Sequence, residues 1–127
     1  MKWGRSTGKP TIAQQQRMDA ITEIGCIVCD ALGHGFMPCQ EHHLLVGGKH
    51  GKKRRGHGIT IGLCPWHHVG EPMAGLSHSA CTDRYRPSYA REPRRFRQEI
   101  GTDDYLLDLQ NTLIEQHLEK TSWRHAA

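Results

Sequence analysis

Long apolar runs are missing from this sequence. The longest, such as Leu44-Leu45-Val46, hold three or four residues, far short of the ~20 that a membrane-spanning helix needs. No apolar stretch follows Met1-Lys2-Trp3-Gly4-Arg5, so no secretory signal is visible and the expected compartment is the cytoplasm, where disulfides are rare. Core-building material is scarce as well. Hydrophobic residues make up 36% and aromatics 6% of 127 residues, so one domain without a large apolar core is expected. A metal commonly substitutes for core in such chains. An even cysteine set is also lacking. Five cysteines beside ten histidines point away from a disulfide framework and toward metal. The net charge of +4 is a moderate basic excess.

The chain divides by composition. Residues 1–10 read as a flexible basic arm, and residues 11–127 as a single domain. Its expected core spans about 26–78, with a helical part at about 93–120. Thr11 to Ile24 reads as a helix stopped by Gly25. Phe36 to Val46 and Ile59 to Leu63 read as short strands. The Gly- and Lys/Arg-rich segment between them is expected to be an exposed loop. Pro65 suits the first turn of a helix through Trp66, His67 and His68. Residues 70–92 look mostly irregular, and Pro93 to Ile100 forms a short basic helix. Thr102 can cap an amphipathic helix running to about Lys120, with Asp103 and Asp104 favoured in its first turn.

Cys26-Ile-Val-Cys29 and Cys64-Pro-Trp-His67 are two halves with the same two-residue spacing. Together they supply the four ligands of a tetrahedral structural Zn2+. Isolated buried thiols are the alternative for one such pair, but two pairs in a core-poor chain favour zinc. A redox pair at Cys26 and Cys29 is disfavoured, because no thioredoxin-like βαβ pattern surrounds it. Cys39 reads as a small buried hydrophobe, or with Cys81 as part of a second structural site.

Glu41-His42-His43 lies on the first strand and His68 on the helix that follows the second. Strand, loop, strand and helix with histidines so placed resemble the ββα-metal finger of HNH (His-Me finger) nucleases. The resemblance implies an α+β fold: a small zinc-bound ββα-metal finger with flanking helices. It implies His43 as general base, with His42 and His68 as ligands of a catalytic divalent cation, Mg2+ or Mn2+, a site that Zn2+ can also fill. Phosphodiester hydrolysis needs those parts: a proton acceptor for water and a cation at the phosphate. Adjacent strand residues point to opposite faces, so His42 and His43 share a site only if the strand end is twisted or bulged. The middle Asn of the pattern is missing, since the only Asn is Asn111, and His57 is the stand-in. A third ligand would come from Glu71 or, preferably, His78. Glu41 is a candidate partner to orient a histidine. His34, His50, His117 and His125 are assigned to loops or surface. Ordinary half-exposed strand residues are the alternative for His42 and His43, and an exposed loop residue for His57.

Lys49, Lys52, Lys53, Arg54 and Arg55 lie in the loop between the strands, which this topology puts beside the metal and against DNA phosphates. Arg94 and Arg95 belong to a second basic block with Arg84, Arg86, Arg91 and Arg97. Each block reads alternatively as solvated surface. The acidic C-terminal helix is expected to pack on the finger or meet a protein.

The string from Gly56 to His68, the Cys-x2-Cys pair, Glu41-His42-His43 and the segment Phe96 to Leu109 look like the Ref (recombination enhancement function) group of phage nucleases. That resemblance implies a phage or prophage endonuclease that cuts DNA at displacement loops formed by a RecA filament, its partner. A RecA-independent HNH nuclease and a non-catalytic zinc module that binds nucleic acid or protein are the alternatives. The module has no use for His42, His43 and His68.

Overall fold

The computed structural model describes residues 9–44 and 59–126, and for 122–126 the backbone alone. Eight elements follow in order: α1 (Ile12–Ile24), α2 (Ile27–Ala31), β1 (Gln40–His43), β2 (Thr60–Leu63), α3 (Pro65–Val69), α4 (His78–Tyr85), α5 (Pro93–Glu99) and α6 (Asp103–Ala126). The fold is α+β, a two-stranded antiparallel sheet flanked by helices. Among the described residues no helix is long and apolar enough to cross a membrane.

Local chemistry sets the boundaries. Thr11 and Gln14 form a reciprocal capping box at the start of α1, and Gly25, at φ 86°, ends it. Cys26 and Cys64 occupy the N-cap positions of α2 and α3, and Pro65 enters α3 in its first turn.

The expected strand 36–46 is much shorter. β1 covers only Gln40–His43, because Pro38 has no N–H to give to a ladder and Phe36 stays 63% exposed. The part of that strand beyond Leu44 lies outside the described residues. Residues 70–92, expected to be mostly irregular, contain α4. Ser77 accepts the Ala80 N–H at its start, and Arg86 ends it at φ 73°, just before Pro87. The short α2 is an addition to the expected elements, and α6 runs past Lys120.

The strands pair in the register Gln40↔Leu63, Glu41↔Gly62, His42↔Ile61 and His43↔Thr60. One face of the sheet carries Ile61 and Leu63 into the main core, with Ile27, Val28, Leu44, Trp66, Phe96 and Leu106. The other face meets α1 and α6, where Ala20, Ile21 and Ile114 form a smaller cluster. Gly62 allows that approach. A Cβ there would lie 2.8 Å from Cys39 Sγ and 2.9 Å from Ile21 Cγ2.

Side chains also close the outer edge of β2. The Arg17 guanidinium donates to Thr60 O at 2.7 Å and to Asn111 Oδ1 at 2.7 Å. The buried Gln110 accepts the Gly62 N–H at 2.8 Å, while its own Nε2 has no partner. An edge strand left bare would be a template for pairing with another chain.

A zinc knuckle and a facing histidine pair

The two cysteine halves converge on one buried point. Cys26, Cys29, Cys64 and His67 are all fully buried, and their ligand atoms lie within 4.8 Å of one another. His67 Nδ1 is 3.5, 3.7 and 3.3 Å from the sulfurs of Cys26, Cys29 and Cys64, and the Cys29 and Cys64 sulfurs are 3.8 Å apart. A tetrahedron with Zn–S about 2.3 Å and Zn–N about 2.0 Å has edges of roughly 3.8 and 3.5 Å. The donor set therefore fits Zn2+ in both chemistry and size.

Local structure builds the cluster. In each half the first cysteine N-caps a short helix, and its sulfur accepts the N–H three residues on: Cys29 N at 3.4 Å and His67 N at 3.5 Å. Such bonds favour the thiolate, the form that binds metal. The other nitrogen of His67, Nε2, is 2.7 Å from Tyr85 O. A carbonyl only accepts, so Nε2 carries the proton and Nδ1 faces the sulfurs.

Charge sharing within the pocket is strong. Hydrogen bonds from Cys29 and Cys64 hold the Cys26 thiol well below its ordinary value, while contacts with Cys26 and Cys64, and burial, push Cys29 up. Burial opposes protonation of His67, but hydrogen bonds to Cys26 and Cys64 outweigh it and raise the ring to about 10. A dication binding these four ligands would displace the protons they share.

A second constellation lies on the next residue of α3. The His68 and His42 rings meet edge-on, at 73°, with centroids 5.0 Å apart. Gln40, two residues before His42 on the same face of β1, lies with Oε1 2.7 Å from His68 Nδ1. Tyr89 also packs against His42, with ring centroids 4.6 Å apart. The Tyr89 hydroxyl donates to Asp103, and its backbone N–H to His67 O. Burial holds the His68 imidazolium below its usual range, which keeps the ring neutral near neutral pH.

The other expected site residues fall elsewhere. The strand pairing has no bulge, so the pleat sends His43 to the face opposite His42, across from Thr60. Among the described residues only the Cys26–Cys29–Cys64–His67 set brings three or more such ligand atoms within 4.8 Å. His78 accordingly does not complete a set with His42 and His68. It opens α4 and lies beside the Trp66 ring at 6.2 Å. Glu71 is exposed beyond α3.

Cys39 and Cys81 do not meet either. Cys39 Sγ contacts Ile21 O, and Cys81 exchanges contacts with the Met73 backbone. Arg95 is engaged with Glu92 and Glu99, whereas Arg94 is exposed on α5. Lys49, Lys52, Lys53, Arg54, Arg55 and His57 lie outside the described residues. Tyr89 and Gln40 join the site without a sequence signal. An aromatic in an arginine-rich stretch and a glutamine at a strand start carry no spacing pattern.

A buried three-cysteine, one-histidine knuckle at the root of a two-stranded sheet defines a small α+β domain able to hold a structural zinc. The matched family is narrower than that class. The profile described as "Recombination enhancement, RecA-dependent nuclease" matches residues 10–115, and the chain belongs to that family. The match runs from the start of α1 into α6. Comparisons with curated proteins and with solved structures returned no match.

Proposed function

We propose that the protein is a metal-dependent DNA endonuclease of the HNH type, cutting at displacement loops formed by a RecA filament during phage recombination. The observation that carries this reading is the His42–His68 pair beside the zinc knuckle. A zinc module that served only to bind would need the knuckle and not the pair. The family match supports the RecA and DNA relationship.

In this reading the knuckle has a mechanical role. Zinc on Cys64 and His67 would fix α3, and with it His68. His42 and His68 are the residues that would hold a divalent cation, Mg2+ or Mn2+. When bound, it would supply charge stabilisation at the scissile phosphate. Two imidazoles leave positions open for phosphate oxygens and water.

His43 keeps the proposed role of general base on the strength of the HNH resemblance. Neutral imidazole accepts a proton near neutral pH. Because its side chain leaves β1 on the other face, it would have to reach the water from the strand end. His57 would orient that base or touch the phosphate, and Lys49 and Lys52 to Arg55 would hold the DNA backbone. The domain would span residues 11–127 behind a basic arm, acting in the cytoplasm of a phage-carrying bacterium.

Cleavage of a displacement loop by the zinc-loaded protein, with and without Mg2+ or Mn2+, tests the reading. Cation-dependent cutting that His68→Ala and His43→Ala both abolish, with DNA binding retained, is the expected outcome. Cutting that survives His68→Ala would remove the cation site from the mechanism. Cutting that survives His43→Ala would reject it as base.

A further inference from the structure

The two histidines of α3 are adjacent, yet each has a different nitrogen tied down. His67 gives its Nε2 proton to the Tyr85 carbonyl and turns Nδ1 to the sulfurs. His68 has the opposite arrangement, with Nδ1 2.7 Å from the Gln40 carboxamide oxygen. An amide oxygen accepts a hydrogen bond, so His68 Nδ1 is the donor and the lone pair resides on Nε2. The second nitrogen of a ligating histidine is commonly tied in this way, which fixes both tautomer and ring orientation.

We infer that Gln40 is a positioning residue that holds His68 in its Nδ1-protonated tautomer, so that Nε2 is the atom offered to a divalent cation beside His42. The inference rests on the cation site proposed above and names what prepares one of its ligands. Topology places Gln40 for this task. It pairs with Leu63, the residue before Cys64, so it stands where β2 turns into α3. It also shares a face with His42, whose ring lies 5.0 Å from that of His68. Tyr89 packs against His42 at 4.6 Å and is itself anchored to His67 O. The His68 imidazole is thus oriented by a hydrogen bond, and the His42 ring packs against both His68 and Tyr89. Gln40 is exposed, so replacing it leaves the core intact.

The test is two-bond proton–nitrogen correlation NMR on zinc-loaded, 15N-histidine-labelled full-length protein, paired with Mn2+ titration. The wild type should show the Nδ1–H pattern at His68. Gln40→Leu should move His68 to the Nε2–H form, which free imidazole side chains favour in water, and weaken Mn2+ binding by about 10–100-fold. Gln40→Glu retains an acceptor and should restore the Nδ1–H pattern. An Nε2–H pattern in the wild type would overturn the inference, as would a Gln40→Leu protein with unchanged tautomer and unchanged Mn2+ affinity. A wild type that shows Nδ1–H but binds no Mn2+ would overturn the cation site of the proposed function and leave the tautomer assignment standing.

Discussion

His67 and His68 are neighbours in α3 but serve two different places. His67 Nδ1 lies 3.3 Å from Cys64 Sγ in the buried knuckle, whereas His68 Nδ1 lies 2.7 Å from Gln40 on the face that carries His42. Successive helical residues project about 100° apart, so one short helix can present one ring inward and the next toward the sheet. The helix has only five residues, too few to be stable alone. Its N-cap cysteine and a zinc on Cys64 and His67 would hold it. Loss of zinc should therefore disorder the histidine pair as well as the knuckle.

Zinc content and folding should fail together. Cys26→Ser removes a ligand and leaves a buried site with unmatched donors. Zinc-finger peptides derive about 10–16 kcal/mol from such a metal, as much as a whole domain's stability of about 5–15 kcal/mol. Mass spectrometry of the native protein should show one zinc per chain, and circular dichroism should show the variant largely unfolded. A folded, zinc-free Cys26→Ser protein would reject the structural site.

Gly62→Ala should destabilise the domain without touching either site. The added methyl would sit 2.8 Å from Cys39 Sγ and 3.1 Å from Gly25 O, closer than packed atoms tolerate. Overpacking of this kind costs about 1–3 kcal/mol. Urea denaturation should show a lower midpoint with normal zinc content. An unchanged midpoint would mean that α1 can move away from β2 at no cost.

Arg17→Met should also lower stability. The guanidinium joins α1, β2 and α6 through Thr60 O and Asn111, and hydrogen bonds to charged groups contribute about 1.5–3 kcal/mol. Arg17 is only half-buried, and part of that figure is lost to solvent screening. A loss of about 1 kcal/mol in urea denaturation is expected. Asn111→Ala should cost less, because Thr60 O keeps its donor.

DNA affinity should depend on Lys52, Lys53, Arg54 and Arg55 more than on Arg95. Replacing Lys52, Lys53, Arg54 and Arg55 by Gln should weaken binding on every sequence. The salt slope should become shallower by about 0.9 for each phosphate that is no longer neutralised. Arg95→Gln should do little, because that guanidinium is already engaged with Glu92 and Glu99. Fluorescence anisotropy across a salt series distinguishes the two. An unchanged slope in the fourfold variant would show that these four residues do not touch phosphate.

The knuckle is readable in the sequence because metal ligation is local. Two residues between Cys26 and Cys29, and again between Cys64 and His67, suffice to place each pair on one turn. The same holds for α1 and α6, whose caps at Thr11 and Thr102 lie next to them in the chain. Long-range contacts leave no such trace. Nothing in the spacing joins Gln40 to His68, Tyr89 to His42, or Arg17 to Asn111. The α4 helix has its signals in Ser77 and Pro87, but its few apolar residues give no periodicity to set beside them. The apolar content of residues 36–46 overstates β1, because the missing N–H of Pro38 outweighs it.

The measurement that bears most directly on the account is cleavage of duplex DNA by the zinc-loaded protein and Mg2+, with and without RecA, ATP and a guiding single strand. Cutting confined to the complete reaction, at the guided position and abolished by His68→Ala, is the result expected. Folded, zinc-loaded protein that cuts under no condition would contradict the account and leave a binding module.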